Sequence, residues 1–169
     1  SKIDNNKDGF LDLPKFHQIN ILNRWKYLSE KLSFQIGLNG LQESRIGGQN
    51  NFESRNITPQ LYGFTNNTKK VEVFTKMAKL HNSKPNRGLG MIADYVYHIS
   101  DSYFGNNPYY ANQKSIYTNF IYQDIIGNTN HKYKTGISLL NDNYLEKFDK
   151  IIMKRNEIVP GAFFEYTYN

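Results

Sequence analysis

The sequence predicts an all-β protein: an antiparallel, up-and-down run of about seven strands forming a segment of a larger transmembrane β-barrel. Three observations carry this reading. Apolar and polar residues alternate with period two in run after run, leaving one face of each strand apolar, and no stretch sustains a helical period for long. The runs are about ten residues or longer, near the roughly 9–11 that a tilted strand needs to cross a bilayer and beyond the five or six usual in soluble sheets. The connectors between the runs alternate short and long, as in barrels whose tight turns lie at one rim and long loops at the other.

The first run, 17–28, sets Ile19, Ile21, Trp25 and Tyr27 against Gln18, Asn20, Arg24 and Lys26, with Asn23 interrupting the apolar side. Ser29-Glu30-Lys31 leads into 32–41, where Leu32, Phe34, Ile36 and Leu38 oppose Ser33, Gln35 and Asn39. A long polar stretch, 42–69, reads as an external loop. Runs 70–81 and 88–99 are joined by the Pro- and Asn-containing turn 82–87, and a polar piece, 100–112, follows. Run 113–126 sets Ile116, Thr118, Phe120 and Tyr122 against Asn119 and Gln123. Gly127-Asn128-Thr129-Asn130 turns into 131–144, with Tyr133, Thr135, Ile137 and Leu139 opposing Lys132, Lys134 and Ser138. Beyond a further polar piece, 145–156, the last run sets Ala162, Phe164, Tyr166 and Tyr168 against Glu165 and Thr167. Aromatic residues gather at the ends of the apolar faces: Trp25, Tyr27, Tyr95, Tyr97, Tyr122, Tyr133, Tyr166 and Tyr168. A Tyr ring is apolar and its hydroxyl stays wet, which suits a membrane interface, and 13 Tyr with 11 Phe are enough for two girdles.

Composition narrows the classes. A hydrophobic fraction of 38% and a mean hydropathy of −0.67 exclude a helical membrane protein, whereas a barrel hides its spans because lumen-facing positions are polar. The absence of cysteine excludes a disulfide framework, cysteine-ligated zinc and a cysteine nucleophile. The net charge of +6 is spread without a basic helix or compact cluster, so no nucleic-acid partner is expected. Ser1 reads as mid-loop and Asn169 as lying beside a strand, so the whole of 1–169 reads as part of one barrel domain. The same alternation also describes a half-buried soluble sheet, and a soluble, calcium-stabilised β-sandwich binding module is the second reading.

One motif carries metal chemistry. The stretch 4–12 (DNNKDGFLD) puts Asp4, Asn6, Asp8 and Asp12 at positions 1, 3, 5 and 9 of a calcium loop, with Gly9 at the sharp turn and the Phe10 carbonyl as a further oxygen. Position 12 is Lys15 where an EF-hand needs a bidentate Glu, and Pro14 argues against flanking helices. The competing reading is an Asx-turn loop that satisfies its own backbone. No catalytic arrangement stands out. His17, His81, His98 and His131 fall on different strands or at their ends, Asp94 and His98 share a polar face, and Gly47-Gly48 lacks the Lys and helix of a phosphate loop. The chain reads as a non-enzyme, and a hydrolytic barrel, the third reading, would need a rim constellation that no local motif supplies. Ligand capture is expected from Arg45, Arg55, Tyr62, Tyr103, Tyr109 and Tyr110, in loops where stacking and cationic contacts suit a bulky, partly charged molecule.

The stretch 4–14 (DNNKDGFLDLP) followed by HQINILNRW at 17–25 resembles TonB-dependent outer-membrane receptors. So do Gly47-Gly48-Gln49, Ser102-Tyr103-Phe104-Gly105, the segment 125–132 with Lys134-Thr135-Gly136, and Val159-Pro160-Gly161 with 163–166. The resemblance is strongest to the branch of vitamin B12 and siderophore receptors and covers nearly the whole chain, as part of that family's barrel. It implies an importer in the outer membrane of a Gram-negative bacterium: a barrel of about 22 strands, plugged by a separate domain that this chain lacks and driven by a periplasmic TonB complex. A bulky nutrient such as cobalamin, an iron–siderophore or an oligosaccharide would be the cargo, and outer-membrane lipid the surroundings.

Overall fold

The structure, a computed structural model, describes residues 3–53 and 60–169. Seven strands follow one another: β1 (Lys15–Leu28), β2 (Leu32–Gly48), β3 (Gly63–Leu80), β4 (Gly88–Phe104), β5 (Asn107–Ile126), β6 (Asn128–Phe148) and β7 (Ile151–Tyr168). Every strand pairs antiparallel with its sequence neighbour, giving one up-and-down sheet in the order β1 to β7. The sheet is open. β1 and β7 are its edges, and every residue of both is exposed. No helix occurs among the described residues.

Register places the expected faces together. One row across the sheet holds Tyr27, Phe34, Met77, Met91, Phe120 and Ile137; the next holds Trp25, Ile36, Thr75, Ala93, Thr118 and Leu139; a third holds Leu38, Val73, Tyr95, Ile116 and Ile158. On the other face Lys26, Gln35, Lys76, Asn119 and Ser138 share a row with Ile92, and Asn39, Glu72, Ser115, Asp142 and Glu157 share another with Val96, while Phe74 and Leu140 stand in the row between.

The two faces are exposed in the opposite sense to a soluble sheet. On the central strands β5 and β6 the apolar Ile116, Phe120, Ile137 and Leu139 are exposed, while Ser115, Asn119 and Ser138 between them are half-buried. Phe52, 6% exposed, is the only large apolar side chain buried among the described residues, whereas the fully buried Ser102 lies on the polar face. No second layer covers the apolar face among the described residues.

The strands outrun the apolar runs that announce them. β2 to β6 hold 17 to 21 residues, or about 55–70 Å at the usual rise. The expected external loops at 100–112 and 145–156 are therefore strand, closed by the two-residue turns Gly105-Asn106 and Asp149-Lys150, and 42–48 and 63–69 are also strand. Gly105 and Asp149 have positive φ, 62° and 50°, as tight hairpins require. The alternation of short and long connectors does not hold; only 49–62 remains long. A strand that is polar on both faces keeps its ladder without any period-two hydropathy signal, so these pieces read as loops. At the opposite rim 29–31 and 81–87 match the expected turns to within a residue, whereas the expected four-residue turn 127–130 shrinks to Gly127, at φ 73°, where the β5–β6 register shifts.

Candidate functional site

The polar half of the sheet, beyond the apolar rows, carries several hydrogen-bonded clusters on its polar face. Alternation puts Asn66, Thr68, Ser100 and Ser102 of β3 and β4 on that side. The Asn66 Oδ1 accepts from Thr68 Oγ1 at 3.2 Å and from Ser100 and Ser102 Oγ, each at 3.1 Å. Nearer the apolar rows Lys70 Nζ pairs with Glu72 Oε2 at 2.7 Å, and Asn39 Nδ2 donates to the same oxygen at 3.5 Å. On β5 to β7 Gln113 Nε2 donates to Tyr144 Oη at 3.2 Å, Tyr144 Oη donates to Asp142 Oδ2 at 3.2 Å, and Arg155 lies 4.5 Å over the Tyr144 ring while pairing with Glu157 at 2.9 Å.

Four buried oxygens on this face, Asn39 Oδ1, Asp94 Oδ1, Asn119 Oδ1 and Asp142 Oδ1, have no hydrogen-bond partner among the described residues. A buried acceptor left unpaired is costly, so this surface is built to meet further polar groups. The structure thus gives a sheet with one largely apolar face and one acceptor-rich face.

The candidate ligand residues do not form one cluster. Arg45 and Tyr109 share a polar-face row, with Asn66 and Ser102 between them, three strand spacings or about 14 Å apart. Arg45 is clamped by Glu43, Nε to Oε1 at 2.5 Å and Nη2 to Oε2 at 3.0 Å, which holds its guanidinium more firmly protonated than usual. Tyr109 Oη donates to Glu146 at 3.0 Å, and its ring packs between Phe104 and Phe148; burial, then Glu146, raises its pKa above the ordinary phenol value. Tyr103 and Tyr110 stand on the opposite face of β4 and β5, not in loops as expected. Tyr62 is exposed at the rim before β3, its backbone N–H donating to Gln49 Oε1 at 2.8 Å. Arg55 lies outside the described residues. Arg24, Lys26, Gln35, Asn39, Asp94, Lys132 and Lys134 do share the polar face, and the eight expected girdle aromatics share the apolar one.

In the loop 4–12, Asp4 accepts backbone N–H groups from Asp8 at 3.2 Å and Gly9 at 3.1 Å, Asp8 accepts that of Phe10 at 2.8 Å, and Asp12 that of Asn5 at 2.8 Å. The loop docks on the rim through Asn50 Nδ2 to Asp4 Oδ2 at 2.5 Å and Leu11 N–H to the Gly48 carbonyl at 2.8 Å. Among the described residues no three His, Asp or Glu side chains come together as a metal-holding group. The geometry is that of an Asx-turn loop whose acceptors serve its own backbone.

Sequence reasoning missed the partners Glu43, Asn66, Ser102, Asp142, Glu146 and Arg155. Continuing the strand parity past the last apolar residue finds all of them. It also missed Asp124, 7% exposed, which accepts from Arg87 Nε at 2.6 Å and Tyr122 Oη at 2.8 Å and ties the β3–β4 turn to the end of β5. No family model, curated protein or solved structure matches this chain.

Proposed function

We propose that the chain is a wall segment of a TonB-dependent outer-membrane receptor that imports a bulky nutrient. The inversion of its faces carries this reading: large apolar side chains occupy the exposed face, and hydrogen-bonding groups with unpaired buried acceptors occupy the shielded one. Such a surface is stable where lipid wets the apolar side and the polar side meets water, a plug or cargo. Further strands pairing with β1 and β7 would close the barrel and satisfy both edges. The apolar rows span the membrane, the rim with 29–31, 81–87 and Gly127 faces the periplasm, and the long polar strand ends stand outside the cell. There Arg45 and Tyr109, with the polar row between them, offer charge and stacking to an incoming ligand. The role is transport, coupled to TonB through the plug, rather than catalysis.

Fractionation of the full-length protein tests the reading, with gel mobility in detergent compared before and after boiling. Recovery in outer membranes with a heat-dependent shift is expected. A protein soluble without detergent and showing no shift overturns it in favour of the calcium-stabilised sandwich.

A further inference from the structure

Charge on the acceptor-rich face does not balance. Across β2 to β7, from the row of Asp94 to the rim of Gly105-Asn106 and Asp149-Lys150, this face carries the carboxylates Glu43, Glu72, Asp94, Asp142, Glu146 and Glu157. Besides His98, its only basic residues there are Arg45, Lys70 and Arg155. Each of those three already stands against an acid: Arg45 on Glu43 at 2.5 Å, Lys70 on Glu72 at 2.7 Å and Arg155 on Glu157 at 2.9 Å. Asp94, Asp142 and Glu146 have no ion pair among the described residues. The unpaired cations of this face, Lys26, Lys76 and Lys132, lie nearer the short turns, and Arg24 stands on the edge strand β1.

Aromatic rings descend the same stretch. Tyr109, Tyr144 and Tyr117 follow one another along β5 and β6, Tyr144 lying opposite Gln113, at steps of four residues or about 13 Å. Each hydroxyl is tied down: Tyr109 to Glu146 at 3.0 Å, Tyr144 to Gln113 and Asp142 at 3.2 Å each, and Tyr117 to Asn119 Nδ2 at 3.1 Å. The same bonds leave Asn119 Oδ1 and Asp142 Oδ1 without a donor, although Asp142 is only 8% exposed. What this wall lacks is therefore donors. A neutral, hydroxyl-rich cargo supplies them and lays its C–H faces on the rings, whereas an anion meets carboxylates that nothing offsets. Resting on the barrel reading above, the geometry points to a neutral oligosaccharide as the cargo rather than an anionic iron chelate. Its C–H faces stack on Tyr109 and Tyr117, and its hydroxyls donate to Asp142 and Asn119. Tyr144, braced by Arg155 at 4.5 Å over its ring, holds Asp142 in place.

Native mass spectrometry of the full-length protein, purified from outer membranes in detergent, tests this. The probes are neutral oligosaccharides from partially hydrolysed mixed polysaccharides, an anionic ferric tris-catecholate and an oligolysine peptide. The parent protein retains oligosaccharide and neither of the others. Asp142→Asn with Asn119→Ala lowers that retention on the order of tenfold, while Lys114→Gln, on the opposite face of β5, leaves it unchanged. Retention of the iron chelate or the peptide in place of oligosaccharide overturns the cargo class, as does retention of no probe. A double variant that keeps both its heat-dependent gel shift and its oligosaccharide overturns the site while leaving the barrel intact. A parent protein absent from outer membranes overturns the cargo and the membrane reading together.

Discussion

The two halves of each long strand obey different rules. Toward the turns 29–31, 81–87 and Gly127, one face is wholly apolar or Thr and Ala over its main rows, while the other mixes Lys26, Gln35, Lys76 and Asn119 with Phe74, Ile92, Ile121 and Leu140. Toward the opposite rim both faces are largely polar, and the ladder is held by side-chain networks such as Asn66 with Thr68, Ser100 and Ser102. The same backbone thus passes from a half that is apolar on one face to a half whose polar side chains bond one another; on the proposed reading the first lies in lipid and the second in water. An edit of one kind should be severe in one half and mild in the other.

The largest expected effect is in the apolar half. Ile137 is 63% exposed, a position at which a soluble protein would accept Arg almost freely. In a bilayer, Ile137→Arg should cost about 2–4 kcal/mol, whereas Ser138→Arg on the polar face should cost less than about 1 kcal/mol. Urea unfolding in lipid vesicles measures both, and equal costs would break the distinction between the faces. Next is the rim. Gly48 has φ of 120°, and a Cβ there would run into the Gly63 backbone. Gly48→Ala should therefore cost about 2–3 kcal/mol in the same measurement, despite touching no apolar row. Asn66→Ala removes the shared acceptor of three hydroxyls, one on Ser102, which is 1% exposed. A loss of about 1–2 kcal/mol is expected, along with faster amide exchange in β3 and β4 near 66 and 102. Smallest is Asp124→Asn, which loosens the tie to Arg87. It should speed exchange in the turn 81–87 while leaving the global unfolding midpoint nearly unchanged.

The boundary between these halves is also the boundary of what the sequence makes legible. Strand ends at the short turns, such as Leu28, Leu32, Gly88 and Ile126, match the apolar alternation because turn residues begin where it stops. The opposite ends do not. β2 continues past Leu41 to Gly48 and β5 begins at Asn107, not Gln113, because a strand polar on both faces has no hydropathy period to reveal it. The same gap hides the site: Arg45 and Tyr109 stand out as ligand-type residues, but their partners Glu43 and Glu146 become visible only once 43–48 and 145–148 are counted as strand. Asp124 was hidden for another reason, since its partner Arg87 comes from a different hairpin.

The central claim is that exposure alternates between lipid and aqueous lumen along β5. The chain contains no cysteine, so single cysteines at 115 to 120 can be read without background in the full-length protein in native outer membranes. The account predicts a period of two: cysteines at 116, 118 and 120 are shielded from a membrane-impermeant maleimide, and fluorophores there are quenched by spin-labelled lipid, while 115, 117 and 119 show the reverse. Uniform labelling, or quenching at the odd positions, would contradict it.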